Sequence, residues 1–380
     1  MDLLSALGGW GGSFVSVIIP FLFVLSVVVF FHELGHFWVA RLCGVRVEIF
    51  SIGFGRELIG FNDRHGTRWK IAAIPLGGYV KFFGDADASS RTDHEAVSAM
   101  SAADREQSFF HKPVAQRAAI VAAGPIANFI LAIVIFTGVF MFFGKSITSA
   151  RVETITPASA AERAGFQPGD LVVEIGGKPI ESFADMQRIV GFSAGIPLAI
   201  VVDRDGTRVP LTATPTIHEF KDRFGGTHRI GRLGIAKSNK PGDIEMRRYD
   251  PVTAFGMGLT ETWFVVARTG DYLGGLVMGT QSADQLGGPI RIAQVSGEAA
   301  QIGFGSLLGL AALISVSIGL LNLMPIPMLD GGHLVFYGIE ALRGKPISEQ
   351  KQEFAFRFGL ALVLMLMVFA TWNDIRGLIG

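Results

Sequence analysis

The sequence predicts a multi-pass α-helical membrane protein with four transmembrane helices, a membrane-associated β-hairpin and an inserted α+β domain. Three observations predict it: four long uncharged apolar runs, loops with uneven Lys and Arg content, and two stretches where short apolar strands alternate with turn signals. Of the 380 residues only 17% are charged, against roughly 25% in an average soluble chain. The hydrophobic share of 49%, with 31 Phe, excludes a disordered chain because so much apolar surface has to be buried. Lys plus Arg and Asp plus Glu both number 33, so overall charge gives no indication of a nucleic-acid partner. A single cysteine, Cys43, excludes an internal disulfide framework and any Cys-rich metal cluster.

Residues 14–31 are uncharged and apolar over 18 positions, about the length that crosses a bilayer core as a helix. Further runs cover 118–144, 299–329 and 358–373. No basic residue precedes the first run and no small-residue cleavage site follows it, so it reads as a span rather than a cleaved leader. Residues 1–40 carry no Lys or Arg, whereas 41–117 carry eleven, and Arg343, Lys345, Lys351 and Arg357 follow the third run. The positive-inside rule then places both loops in the cytoplasm and both termini outside. Segment 145–298 falls outside as well.

Between the first two spans, Val45, Val47 and Ile49 alternate with Arg46 and Glu48, and Trp69, Ile71 and Ala73 alternate with Lys70 and Ala72. Asn62-Asp63-Arg64-His65-Gly66 supplies a turn, so 45–84 is expected to form a hairpin or small sheet beside the first span. The acidic cluster Asp85, Asp87, Asp93 and Glu95 reads as a solvated linker. Within 145–240, short apolar strands such as 171–175 and 198–202 lie between turns, with helical pieces near 158–164 and 183–191. Residues 241–298 read as amphipathic helices at the membrane surface, with a break at Leu286-Gly287-Gly288-Pro289-Ile290.

Chemistry concentrates in His32-Glu33-Leu34-Gly35-His36 at the end of the first run. On a helix, positions i and i+4 share a face, so two imidazoles converge on one metal while Glu33 reaches a water at the open position. Ionisable groups in an apolar span are costly and usually functional. The third ligand is expected to be Asp330, in Asn322-Leu323-Met324-Pro325-Ile326-Pro327-Met328-Leu329-Asp330-Gly331-Gly332-His333. Two prolines break the helix there, and irregular backbone at membrane depth survives only where protein or a water-filled cavity encloses it. His333 is an alternative ligand, and Glu48 is the first acidic residue downstream of the motif.

Together these elements resemble the site-2 protease family of intramembrane zinc metalloproteases, bacterial regulator-of-sigma-E-protease type. The resemblance rests on HELGH in the first span (1–40), Gly124-Pro125-Ile126-Ala127-Asn128 in the second (118–144), and the Asn322 to Gly332 run in 299–380. It also rests on 157–170, which is similar to the PDZ domains of bacterial proteases. It implies a zinc metalloendopeptidase in which His32, His36 and Asp330 hold Zn²⁺ and Glu33 is the catalytic base. Asn322 and Asn128 would contact substrate. It further implies a bacterial inner-membrane location, a periplasmic PDZ-like domain and cleavage of single-pass membrane proteins already trimmed by another protease, such as anti-sigma factors or signal-peptide remnants. Ile230-Gly231-Arg232-Leu233-Gly234-Ile235 would serve as the carboxylate loop of a circularly permuted PDZ domain. The well-known members carry two PDZ domains, whereas this chain shows signs of one. A metal transporter and an inactive PDZ-bearing scaffold are the rival readings.

Overall fold

Where the sequence offers unbroken apolar runs, the chain builds helices long enough to satisfy every backbone group within one segment, the requirement lipid imposes. The computed structural model describes residues 3–85, 100–221, 227–237, 243–279 and 287–379. Asp87, Asp93, Glu95 and Leu286 lie outside them. The chain divides into two units, Met1–Val139 with Pro251–Gly380, and Phe140–Asp250.

The first unit contains α1 (Leu3–Leu42), β1 (Val47–Asn62), β2 (Arg68–Phe82), α2 (Ala102–Gln107) and α3 (Val114–Gly138). The chain returns to it as α6 to α10, whose ranges follow below. Among the described residues four helical segments have the length and composition to cross a membrane: Val15–Leu42, Val114–Phe143, Phe304–Asn322 and Gln350–Arg376. The first extends well past the expected 14–31, because Phe37, Trp38, Val39 and Ala40 continue the apolar run as far as Arg41. The His-Glu-Leu-Gly-His motif therefore lies within the helix, which ends at Leu42, close to the expected limit of the first span at residue 40.

β1 and β2 do more than pair once. Ile49 to Ile52 partner Lys81 to Gly78, and the same four residues also partner Arg68 to Ile71, whose other neighbours lie in 57–62. Bends at Gly53 and Gly55, both at positive φ, let one long strand contribute two rows to the sheet. Phe37 of α1 meets Phe50 at 5.7 Å and Trp69 at 5.0 Å, and this aromatic contact fastens the sheet to the motif-bearing helix. Phe54, Leu58, Ile59, Phe61, Ile71 and Ile74 of the same sheet stay exposed.

The insertion follows from short strands with frequent turns. Its elements are β3 (Lys145–Thr148), β4 (Val152–Ile155), α4 (Ala160–Arg163), β5 (Leu171–Ile175), β6 (Lys178–Pro179) and α5 (Phe183–Phe192). Then come β7 (Leu198–Arg204), β8 (Thr207–Ala213), β9 (Thr216–Lys221), β10 (Thr227–Arg232), β11 (Ile235–Lys237) and β12 (Ile244–Arg247). The largest sheet runs β6-β5-β7-β8, and Val152, Phe166, Val172, Ile175, Met186, Val190, Ile200, Val202 and Leu233 form the core. β12 pairs antiparallel with β3, so the unit extends beyond the expected limit at residue 240. The segment Ile230 to Ile235 forms the end of β10, a loop and the start of β11, and β11 pairs with β4.

α6 (Pro251–Val277) packs Ala254, Gly258 and Thr262 inward: a Cβ on Gly258 would lie 2.7 Å from Thr137 Oγ1 of α3. Phe255, Leu259, Trp263 and Phe264 face outward and exposed, an arrangement that suits lipid better than water. α7 (Pro289–Ile302) and α8 (Phe304–Asn322) replace the continuous third run expected over 299–329, broken at Gly303, whose φ is +146°. α9 (Asp330–Arg343) and α10 (Glu349–Ile379) complete the unit. Asp374 of α10 accepts from the backbone N–H groups of Gly288 at 2.9 Å and Arg291 at 3.0 Å, so one helix caps the first turn of another.

One ion pair dominates the insertion. Arg204 of β7 grips buried Asp170 with both arms at 2.8 Å, and the Gln167 N–H adds a bond at 2.9 Å. Burial alone would raise the Asp170 carboxyl, but the guanidinium and the backbone N–H outweigh it and hold the group below its ordinary value. The pair thus stabilises fully above an unfolded value of about 3.9, and its contribution is lost as pH falls through the lowered folded value. Arg204→Ala should destabilise the insertion at pH 7, since it leaves the buried Asp170 carboxylate with the Gln167 N–H and no counter-charge. Hydrogen exchange of the insertion in the full chain is the measurement. The variant should also lose less than wild type between pH 5 and pH 2.

Candidate metal centre

The helical repeat brings His32 and His36 to one side of α1, their ring centroids 4.8 Å apart and both residues under 10% exposed. α3 crosses at this level. A Cβ on Gly124 would fall 2.2 Å from His36 Nε2 and 2.9 Å from His32 Cε1, so only glycine leaves room for the two imidazoles. One turn earlier, the Ile120 carbonyl accepts the His36 Nδ1–H at 2.9 Å. That bond leaves Nε2 as the atom with the free lone pair. One turn later, Asn128 places Nδ2 at 3.3 Å from His32 Nδ1.

Asp330 arrives from the far end of the chain. The turn from Leu323 to Leu329 contains both prolines and Met328 at φ +94°, a conformation a side-chain-bearing residue adopts only under constraint. A Cβ on Gly331 would meet the Leu323 and Met324 carbonyls at 2.3 Å, so glycine is required for α9 to start so close to that turn. Asp330 is the first residue of α9, where the helix dipole favours a carboxylate. Farther along α9, Glu340 accepts from Arg117 Nη2 of α3 at 2.6 Å, and that guanidinium lies 5.0 Å from the Tyr337 ring centre. This contact fixes the helix that carries Asp330.

The three ligand atoms form a nearly equilateral triangle. His32 Nε2 lies 3.3 Å from His36 Nε2, Asp330 Oδ2 lies 3.3 Å from His32 Nε2, and it lies 3.5 Å from His36 Nε2. For bonds of about 2.0–2.1 Å, one face of a tetrahedral zinc site has edges of roughly 3.3–3.4 Å. Asp330 Oδ2 is buried and, among the described residues, accepts no hydrogen bond. Lone-pair-bearing atoms held this close are satisfied by a cation, so the donor set fits zinc in size and in chemistry. Among the described residues His32, His36 and Asp330 are the one grouping of this type.

Glu33 stays outside that grouping and is buried beside it, with its Cγ 2.9 Å from where a Cβ on Gly78 of β2 would stand. Its carboxyl interacts electrostatically with His32, His36 and Asp330. Asn322, at the end of α8, sets Nδ2 at 3.4 Å from His32 Nε2. Neither alternative joins the triangle: His333, close to Asp330, packs against the Phe356 ring at 5.2 Å, and Glu48 pairs with Lys81 at 3.2 Å. Sequence reasoning missed Ile120, Gly78 and the Arg117–Glu340 tie. It had no individual role for Gly124, although a glycine one turn before Asn128 was visible.

Apolar helices around a buried His-His-Asp set define a membrane metallopeptidase. The chain belongs to peptidase family M50, whose description matches residues 20–366. With a donor set of zinc dimensions, it is a zinc metalloprotease. A relative from Agrobacterium fabrum, provisionally named a zinc metalloprotease, is 51% identical over 369 residues, covering 97% of this chain and 98% of that one. Metalloprotease MmpA of Caulobacter vibrioides is 43% identical over 385 residues, covering 96% of each. Among solved structures, the PDZ domain of the SdrC-like protein from Listeria innocua covers 24% of this chain and 96% of its own at 18% identity, with a TM-score of 0.19.

Two substitutions test the donor set through metal content alone. Asp330→Ala should lower zinc affinity by more than about 100-fold, beyond the usual effect of an outer-shell change. Gly124→Ala should also deplete zinc, because its methyl occupies the position of His36 Nε2. Full occupancy in either variant, measured by elemental analysis of purified protein, would place the ligands elsewhere.

Proposed function

We propose that this chain hydrolyses a peptide bond within or at the edge of the transmembrane segment of single-pass membrane proteins. The observation that carries the reading is the 3.3–3.5 Å triangle of His32, His36 and Asp330 with Glu33 beside it inside an apolar bundle. His32, His36 and Asp330 hold the ion. When bound, zinc polarises the scissile carbonyl and lowers the pKa of water towards 7. Glu33 takes the water's proton and passes it to the leaving amine. Asn322 Nδ2, on the metal side of His32, donates to the substrate backbone and positions it.

A transmembrane helix hides its carbonyls, so the substrate has to unwind to be cut. The row Gly78 to Phe82 supports a place for the unwound strand: it passes Glu33 and partners only 47–52 among the described residues. Strand addition there would present an extended backbone to the base. The exposed apolar side chains of the sheet favour its association with the membrane. Loop charge favours a bacterial inner-membrane orientation with the centre nearer the cytoplasm and the insertion in the periplasm. The insertion, read as a PDZ-like domain, would admit substrates already trimmed by another protease. Anti-sigma factors and signal-peptide remnants are substrates of that type.

Glu33→Gln should retain zinc and lose cleavage of a model transmembrane peptide by about 10²–10⁴-fold. Undiminished turnover in that variant removes Glu33 as the base. Deleting 150–215 should widen or shift the set of membrane proteins cut while the rate on the model peptide stays the same. An unchanged set would mean the insertion does not select substrates. Zinc flux into proteoliposomes without cleavage would favour a transporter, and the absence of both would favour a scaffold.

A further inference from the structure

α3 presents a stripe of three positions, one per turn, to the imidazoles. Ile120 orients His36 with its carbonyl, Gly124 makes room for both rings, and Asn128 meets His32. Asn128 is fully buried. Ser315 of α8 donates to its backbone carbonyl at 2.9 Å, and a Cβ on Gly319 would stand 3.3 Å from its Cβ. The residue is thus enclosed between α1 and α8 and shielded from solvent. Its Nδ2 faces His32 Nδ1 at 3.3 Å, and its Oδ1 is buried without a hydrogen-bond partner among the described residues.

These contacts impose a choice of tautomer. If the amide N–H donates to Nδ1, the ring proton sits on Nε2, and Nε2 has no lone pair for a metal. If Nδ1 carries the proton, it needs an acceptor, and a half-turn of the amide brings the otherwise unpaired Oδ1 to it. We propose that Asn128 is a positioning residue: in the zinc-loaded protein its carbonyl oxygen accepts the His32 Nδ1–H, fixing the tautomer and ring angle that present Nε2 to zinc. It would do for His32 what the Ile120 carbonyl does for His36. The assignment rests on the zinc reading above, and it replaces direct substrate contact as the role of this residue.

Competition of the full-length protein in detergent against a zinc chelator tests it without any substrate. Asn128→Leu, of similar volume but without an acceptor, should bind zinc about 10–100-fold more weakly. Asn128→Asp, which offers a stronger acceptor at the same place, should bind at least as tightly as wild type. The visible spectrum of the Co²⁺-substituted protein should change in N128L, because the field of one imidazole changes. N128L with wild-type zinc affinity and lost cleavage would overturn the proposal in favour of substrate contact. Equal loss of affinity in folded N128L and N128D would reduce the residue to packing. Should N128L not fold, N128D alone decides, and an affinity below wild type overturns the assignment. Zinc affinity is measured apart from turnover, so a failure to cleave transmembrane peptides leaves this result standing.

Discussion

Three lone pairs aimed at one another inside an apolar bundle repel unless a metal ion or a proton stands between them. The scaffold has to hold them, and much of the first unit is arranged to do so. The aromatic contact of Phe37 with Phe50 and Trp69 locks α1 to the sheet. Arg117, Glu340 and Tyr337 lock α9 to α3. Low dielectric surroundings make this arrangement costly when the metal is absent and strong when it is bound. The same burial that makes the centre hydrolytic therefore makes it dependent on packing some distance away.

Helical periodicity explains why α3 is the element that serves both histidines. Residues 120, 124 and 128 recur every fourth position and lie along one face, as His32 and His36 do on α1. Two helices crossing at Gly35, where a Cβ would stand 2.3 Å from the Ala123 carbonyl, bring those faces within hydrogen-bond reach. A larger residue at 35 or 124 would separate the helices or displace a ring. The tight crossing is thus a condition of the site's geometry.

Much of this was legible in the sequence, and the reasons differ by element. The i, i+4 histidines, the uncharged runs and the two-proline turn are local patterns, and local patterns are read directly. The uncharged run stops at Phe31 because His32 and Glu33 interrupt it, yet Phe37 to Ala40 carry the helix on to Leu42. The continuous run 299–329 concealed a break at Gly303, since composition alone does not distinguish a glycine inside a helix from one at its end. The double pairing of 49–52 follows from two bends inside β1, which alternation cannot show. Arg117 and Glu340 stand 223 positions apart, and a single sequence contains nothing that joins them.

The limit of the insertion shows how topology decides what composition leaves open. Residues after 240 look like the approach to the next helix, yet Ile244–Arg247 is the only partner of Lys145–Thr148 among the described strands. The chain leaves and re-enters through two strands hydrogen-bonded to each other, so both ends of the unit are held a sheet spacing apart, about 4.8 Å. An insertion closed in this way has a core separate from those of the first unit. That separation lets the Asp170–Arg204 pair respond to acid within its own unit, while the stability of the metal centre is set by contacts in the other.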